Sequence, residues 1–332
     1  MTTVSELWTP ALVVDADVLD ANLATMSSAL PGPRLRPHVK AHKCSALARR
    51  QVEGGHPGLT CATVREVERL AAAGLGGDLL LANEVVDARR LGVLGDRHGA
   101  RVTVAVDSEQ TVAAAADGGV HEVLVDVDVG LPRCGCRPEE AGRLADLARS
   151  RGLSVRGVMG YEGQVTVMAS RNERAAAVEQ AMEKLLRAAS DVGGDVVSAG
   201  ATVTWDLNTW ATEIQAGSYA LMDTTFAPMA PAFRPALWVE ATVISVARGW
   251  AVADCGLKAL GMDHGNPSID GGSVLFCSDE HITFVPDDGA EVGDRVRVWP
   301  AHIDPTIAYH ERLFLTRADQ VIDVWDLDLR GW

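Results

Sequence analysis

The sequence predicts an α/β protein, a (β/α)8 barrel of the TIM type followed by a C-terminal antiparallel β domain. Three observations carry this expectation. From Ala11 to about Asp223, short apolar runs alternate with Ala/Arg/Glu-rich helical stretches, and about eight such units favour a closed barrel over an open parallel sheet. The texture then changes at the proline-rich joint PMAPAFRP. Beyond it, β-branched runs are divided by Gly, Asp and Pro turns, which is the pattern of short antiparallel strands.

The units follow in order. LVVD (12–15) leads into a helix, LTCAT (59–63) precedes VREVERLAAAG, and DLLLAN (78–83) precedes VVDARRLGVLG. VTVAVD (102–107) precedes SEQTVAAAADGG, and EVLVDVDVG (122–130) precedes PEEAGRLADLARSRG. VRGVMGYEG (155–163) precedes the long RNERAAAVEQAMEKLLRAASDVG, and DVVSAGAT and EIQAGSY complete the set. The barrel is assigned to residues 9–228. The β domain is assigned to 231–332 on WVEATVISVARG, WAVADCG, VLFCS, HITFV, DRVRVWP and QVIDVWDL, with residues 1–8, Trp8 among them, packing back onto it.

Composition narrows the partners. The 332 residues carry 45 acidic and 30 basic side chains, a formal net charge of −15. That excess repels nucleic-acid backbones and anionic lipid, and no Lys/Arg-rich run interrupts it. The N-terminus lacks a basic start followed by an apolar run, and no stretch approaches the ~20 apolar residues of a membrane span. Six cysteines are too dilute for a disulfide scaffold, which fits a reducing cytoplasm. Cys134 and Cys136 form a CxC pair without a second Cys/His pair at zinc-site spacing, so they are not assigned a metal.

Only four of the 30 basic residues are lysines: Lys40, Lys43, Lys184 and Lys258. Lys184 sits on an amphipathic helix that presents it to solvent, and Lys43 reads as an exposed strand-end residue. Lys40 is different. Arg36, His38 and Lys40 fall at alternate positions of a presumed strand, so they share a face. In a barrel that face is the interior, with Lys40 near the C-terminal mouth where barrel active sites lie. Burial there would lower the lysine pKa, as formation of a Schiff base with a carbonyl requires. His302 and Asp304 alternate in WPAHIDPT along a presumed strand or extended loop, an arrangement suited to a divalent metal.

RPHVKAHK, DVGLPRCG, VSAGAT, TEIQAGSYALMD, DCGLKAL, SDEHITF and PAHIDPT occur in that order. This series resembles the D-threonine aldolase and D-serine dehydratase family, pyridoxal-phosphate enzymes whose barrel is similar to that of alanine racemase. The resemblance runs from about residue 9 to 315. It implies that Lys40 carries the cofactor and that Arg133 faces its phenolate oxygen. It further implies that Gly200, Ala201 and Thr202, with Gly217, Ser218 and Tyr219, cradle the phosphate, and that His38, Tyr161 and Ser198 complete the cofactor site. Gln215 stands where alanine racemases place an arginine against the pyridine nitrogen. At the metal position, dehydratase members resemble HxC and bind zinc, whereas aldolase members resemble HxD. A carboxylate in place of a thiolate shifts preference from Zn2+ toward Mn2+ or Mg2+.

The implied activity is aldol cleavage of a D-3-hydroxy amino acid to glycine and an aldehyde by a homodimer. A dehydratase, a racemase and a non-catalytic cofactor carrier are the alternatives. Some aldolase relatives carry a histidine shortly after the strand that here reads GYEGQ, and this chain has none between His121 and His264. Tyr161, Gln164 or a metal-bound water are therefore the candidates to take the β-hydroxyl proton.

Overall fold

The computed structural model describes residues 2–94 and 99–332; Gly95, at the end of the helix expected over VVDARRLGVLG, and Met1 lie outside them. In chain order the strands and α-helices begin with β1 (Ala11–Asp15), α1 (Ala16–Ala29), α2 (Ser45–Glu53), β2 (Leu59–Cys61), α3 (Val64–Ala72) and β3 (Leu79–Leu81). They continue through α4 (Ala88–Gly92), β4 (Val102–Val106), α5 (Glu109–Asp117), β5 (Glu122–Asp126), α6 (Ala141–Ser150) and β6 (Ser154–Met159). After α7 (Arg171–Val192), β7 (Val196–Ala199) and β8 (Glu213–Ile214), the all-β region starts. It comprises β9 (Leu237–Ala247), β10 (Trp250–Ala253), β11 (Ser268–Ile269), β12 (Gly272–Cys277), β13 (Ile282–Pro286), β14 (Arg295–Trp299), β15 (Arg312–Arg317) and β16 (Gln320–Asp326), with α8 (Ile303–Tyr309) before β15.

The chain divides into two compact units. One comprises residues 26–40, 47–217 and 329–332, and the other 2–25, 41–46 and 218–328. In the first, β2 to β8 form a parallel sheet in sequence order. The extended segment Leu35–His38 closes it: Leu35 pairs with Ile214 and His38 with Thr60, both parallel. Arg36 and His38 donate their N–H groups to the Ile214 and Ala216 carbonyls, and Thr60 N–H donates to the Pro37 carbonyl. The eighth position of the barrel is thus a strand-like segment rather than a full strand. The sheet strands are buried runs such as Leu79–Leu81 and Val123–Val125, as a parallel sheet covered by helices requires. Helix starts are set locally: Thr63 and Glu66 form a capping box on α3, and Ser108 caps α5.

The expected first barrel strand is elsewhere. β1 pairs with β9 and β15 in the other unit's nine-stranded sheet, parallel to β15. In that sheet β9, β10, β13, β12, β11 and β14 pair in a closed ring, β10 returning to β9, and β1, β15 and β16 extend it. Val4 and Leu7 pack with Val13 and Trp238 in its core, so the N-terminal residues do pack there. Trp8 does not, being 95% exposed.

The N-terminal end of the barrel is held by charge. Arg36, 4% exposed, donates to Glu213 at 2.8 Å and to Asp78 at 2.8 Å. Arg156 donates to the other Asp78 oxygen at 2.8 Å and to Thr103 Oγ1 at 2.7 Å, and Thr103 donates to Glu122.

Candidate active site

The C-terminal ends of the barrel strands carry most of the residues expected to hold the cofactor. Lys40 is one of them, but it does not arrive by strand alternation. The closing segment pairs as far as His38. Val39–Ala41 then turns as a single 3-10 turn. Arg36 therefore points into the charged floor while Lys40 is exposed at the mouth, not desolvated as alternation implied. Its backbone N–H lies 3.5 Å from His38 Nδ1.

Arg133 follows β5, and its guanidinium lies 5.1 Å from the centre of the Tyr161 ring, which follows β6. Gly163 is required beside it, since a Cβ there would collide with the Tyr161 ring. Gln164 Nε2 reaches toward the Val129 carbonyl at 3.4 Å, while its Oε1 is buried with no hydrogen-bond partner among the described residues. After β8, Gln215 Nε2 donates to Ser198 Oγ at 2.9 Å, so these two residues are brought together.

Two N–H groups of the expected phosphate loop have acceptors within the chain. Gly200 adopts φ +87°, and a Cβ there would lie 2.9 Å from the Ile214 side chain. Its N–H is already committed to Glu162 Oε2 at 3.0 Å, and the Ala201 N–H to Thr204 Oγ1 at 2.9 Å. Glu162, 1% exposed, also accepts from Thr204 Oγ1 at 3.1 Å and Asn208 Nδ2 at 3.3 Å. This buried carboxylate shapes the Gly200–Thr204 turn, with Thr202 also buried. Sequence reasoning passed over it, although its place directly after Tyr161 in GYEG was a signal. Gly217 ends the barrel unit, whereas Ser218 and Tyr219 begin the β unit. There Tyr219 is buried with its ring edge against Phe233 at 5.7 Å.

Acidic groups also occupy the mouth. Burial first, and then the Glu84 carboxylate, pushes Asp126 well above the usual range. Burial, reinforced by Glu84, raises Cys134 to about 12, and burial with Asp126 raises Cys136 to about 12.

An exposed amine at the strand ends, a guanidinium over an aromatic ring and the unpartnered Gln164 oxygen are chemically suited to an aldehyde cofactor with a phenolate and a polar substrate. The residues present fit pyridoxal phosphate.

In the β unit, His302 and Asp304 are not on a strand. His302 is the N-cap of α8 and Asp304 lies in its first turn, because Pro305 is well placed at a helix start. His302 Nε2 and Asp304 Oδ1 are 4.0 Å apart, less than twice an ordinary donor–metal distance of ~2.1 Å. One imidazole and one carboxylate, 16% and 14% exposed, make a donor set that fits a divalent ion.

Three acids or bases around His302 and Asp304 went unpredicted. Asp223 accepts from Phe226 N–H at 2.9 Å and Ile303 N–H at 3.3 Å, fixing the start of α8. Burial raises it to about 6, against the pull of those two N–H groups. Asp263 and His264 flank the His302 ring. Other motif residues are structural: Asp254 accepts from Thr242 N–H and Thr9 Oγ1, and Lys258 pairs with Glu280 at the surface. His310 ends α8 and bonds the Ala259 carbonyl.

The "Alanine racemase, N-terminal domain" family model matches residues 14–224, and the "Putative serine dehydratase domain" model matches 236–316. The first defines a barrel of the alanine-racemase class. The chain is 35% identical to a D-threonine aldolase of Arthrobacter sp, over 98% of this chain and 93% of that protein. It is 32% identical to a 3-hydroxy-D-aspartate aldolase of Paracoccus denitrificans over the same shares. A crystal structure of D-threonine aldolase from Filomicrobium marinum superposes with a TM-score of 0.93 at 31% identity, covering 99% of this chain and 97% of that one. The chain belongs to the D-threonine aldolase and D-serine dehydratase family and is a pyridoxal-phosphate-dependent lyase.

Proposed function

We propose that this lyase uses pyridoxal phosphate and a divalent metal to cleave D-3-hydroxy amino acids of the D-threonine type to glycine and an aldehyde. The observation that carries the reading is the His302–Asp304 pair at the head of α8, whose second donor is a carboxylate oxygen. Hard oxygen donors favour Mn2+ or Mg2+ over Zn2+. When bound, pyridoxal phosphate supplies the electron sink for the pair left on Cα as the Cα–Cβ bond breaks.

The chain's own residues supply the rest. Lys40 would make the covalent link to the cofactor, and Arg133, held over Tyr161, would meet its phenolate oxygen. Gln215, tethered to Ser198, would offer the ring nitrogen a neutral amide, which would leave its protonation open. Glu162 and Thr204 take the Gly200 and Ala201 N–H groups and fix the turn, leaving Thr202 and the Gly217, Ser218 and Tyr219 segment as the groups that would meet the phosphate. His302 and Asp304 would hold the ion, which would lower the β-hydroxyl pKa when bound. Tyr161 as its phenolate, or a metal-bound water, would take the hydroxyl proton, and Gln164 would orient the hydroxyl.

We extend the reading to a homodimer acting in the cytoplasm. The homodimer rests on the resemblance to alanine racemase, and six free cysteines suit a reducing compartment. No helix among the described residues is long and apolar enough to cross a membrane.

Dehydration is the rival, since the dehydratase domain model covers α8 and its surroundings. D-threonine and D-3-phenylserine, supplied with cofactor and Mn2+, should yield aldehyde and glycine, and exhaustive chelation should cut the rate at least about a thousandfold. Keto acid and ammonia as the main products would establish dehydration instead. Full activity after chelation would remove the metal from the reading.

A further inference from the structure

The His302 ring is held more closely than a pair of ligands requires. Its Nδ1 lies 2.7 Å from Asp263 Oδ2. A carboxylate oxygen accepts, so Nδ1 carries the proton and the Nε2 lone pair is left facing Asp304. The backbone bearing Asp263 is fastened to α8. Gly261 N–H donates to Thr306 Oγ1 at 2.8 Å, Thr306 Oγ1 donates to the His302 carbonyl at 2.7 Å, and Gly261 pairs with His302 in an isolated antiparallel bridge. A Cβ on Gly261 would collide with Pro305, so only glycine permits this approach.

His264 lies face to face with His302, ring centres 4.0 Å apart and planes within 2° of parallel. The edge of Phe226 closes on both rings, at 5.5 and 6.3 Å. Imidazole lone pairs lie in the ring plane, so two stacked rings present theirs side by side and not toward a common point. Asp263, His264 and His302 are close enough to suggest a three-ligand ion site, but the stacking divides their roles.

We propose that Asp263 is the positioning residue of the metal centre, fixing the His302 tautomer and ring angle, while His264 braces the ring by stacking and does not ligate. This rests on the metal reading given under the proposed function. A carboxylate bonded to the far nitrogen of a ligating histidine also raises its donor strength, and loss of such a partner weakens metal affinity about 10–100-fold. Asn at this position keeps an acceptor oxygen without charge, and Leu keeps neither.

Mn2+ titration calorimetry on the cofactor-loaded protein tests this, with circular dichroism and cofactor absorbance reporting the fold. H302A and D304A should abolish binding. D263L should weaken it by about 100-fold, D263N by about tenfold, and H264F by less than about threefold. Native affinity in D263L, with binding lost in D304A, overturns the role of Asp263 and leaves the metal reading standing. Binding lost in H264F but kept in D304A makes Asp263, His264 and His302 a separate ion site, and overturns the division of roles. No Mn2+ binding by the native chain removes the metal reading and the proposal with it.

Discussion

The two ends of the barrel are made from the same strands and treat their polar groups in opposite ways. At the N-terminal end, Arg36, Asp78, Arg156, Glu213, Glu122 and Thr103 bond one another at 2.7–3.2 Å or close to it, each group meeting a partner of opposite character. At the C-terminal end, Lys40 is exposed, the Oε1 atoms of Gln164 and Glu84 are buried with no hydrogen-bond partner among the described residues, and Asp126 is pressed against Glu84. A buried polar group without a partner costs ~1–3 kcal/mol, so the mouth is a poor way to gain stability. It is a good way to hold groups ready for a ligand, as barrel mouths do. The difference predicts that substitutions at the floor will act on folding, and those at the mouth on chemistry.

The largest effect is expected at Lys40. Lys40→Ala removes the amine that links the cofactor, and activity should fall at least about a thousandfold, about 4 kcal/mol of barrier. Because the side chain is exposed, the urea midpoint should move little, by no more than about 0.5 kcal/mol in stability. Borohydride reduction followed by peptide mapping checks the assignment directly. Label on Lys43 or Lys258 in the native chain would place the reactive lysine away from the mouth.

At the floor the signs reverse. Burial alone would raise the Asp78 pKa, but the hydrogen bonds from Arg156 and Arg36 outweigh it and bring the group down to about 2. A carboxylate lowered on folding stabilises the native state at pH values above its unfolded pKa, near 3.8, and that contribution is lost as pH falls through the folded value. Stability should therefore drop between about pH 4 and pH 2. Asp78→Asn should cost about 2 kcal/mol at pH 7, below the range for breaking a buried pair because Arg36 keeps Glu213 and Asp78 is partly exposed. Its stability should fall less steeply than that of the native chain over the acid window. Urea midpoints at several pH values test this. Parallel curves would show that Asp78 is not the group responsible.

The contrast between the ends also explains what could be read from the sequence. Apolar runs before helical stretches marked β2 to β8 because parallel strands covered on both faces carry their signal locally. LVVD carries the same signal, since β1 is buried too and lies parallel to β15. Its sheet is decided by pairing with residues some 230 to 300 positions away, which periodicity does not encode. Alternation placed Arg36 correctly inside the barrel and failed four residues later at Lys40, past His38, where the chain turns. His302 and Asp304 were visible as a spaced pair, but α8 starts at Ile303 with Pro305 in its first turn, and the alternation was coincidental. Glu162, Asp223 and Asp263 are single acids whose meaning depends on partners brought in by the fold, about 40 positions away for the Gly200–Asn208 turn and Asp263 and 80 for Asp223. Only their neighbours in GYEG, ALMD and MDHG hinted at them.

Gln164 gives the smallest and most discriminating effect. Its Oε1 is buried without a hydrogen-bond partner among the described residues, and its Nε2 makes one long bond to the Val129 carbonyl at 3.4 Å. Within the chain, such an amide loses more from desolvation than it gains, so Gln164→Leu, which is close in volume, should leave stability unchanged within about 0.5 kcal/mol or raise it slightly. If the oxygen is kept to orient the substrate hydroxyl, the same substitution should lower kcat/KM for D-threonine about tenfold, the worth of one hydrogen bond of about 1.4 kcal/mol. Gln164→Glu keeps an acceptor and adds charge, so it should retain more activity at high pH than the leucine variant. Thermal unfolding and steady-state kinetics on the same preparations separate the two quantities. A leucine variant that loses stability while keeping its kcat/KM would assign Gln164 to packing around Gly130, whose missing Cβ leaves room for the amide, and the mouth would no longer differ from the floor at that position.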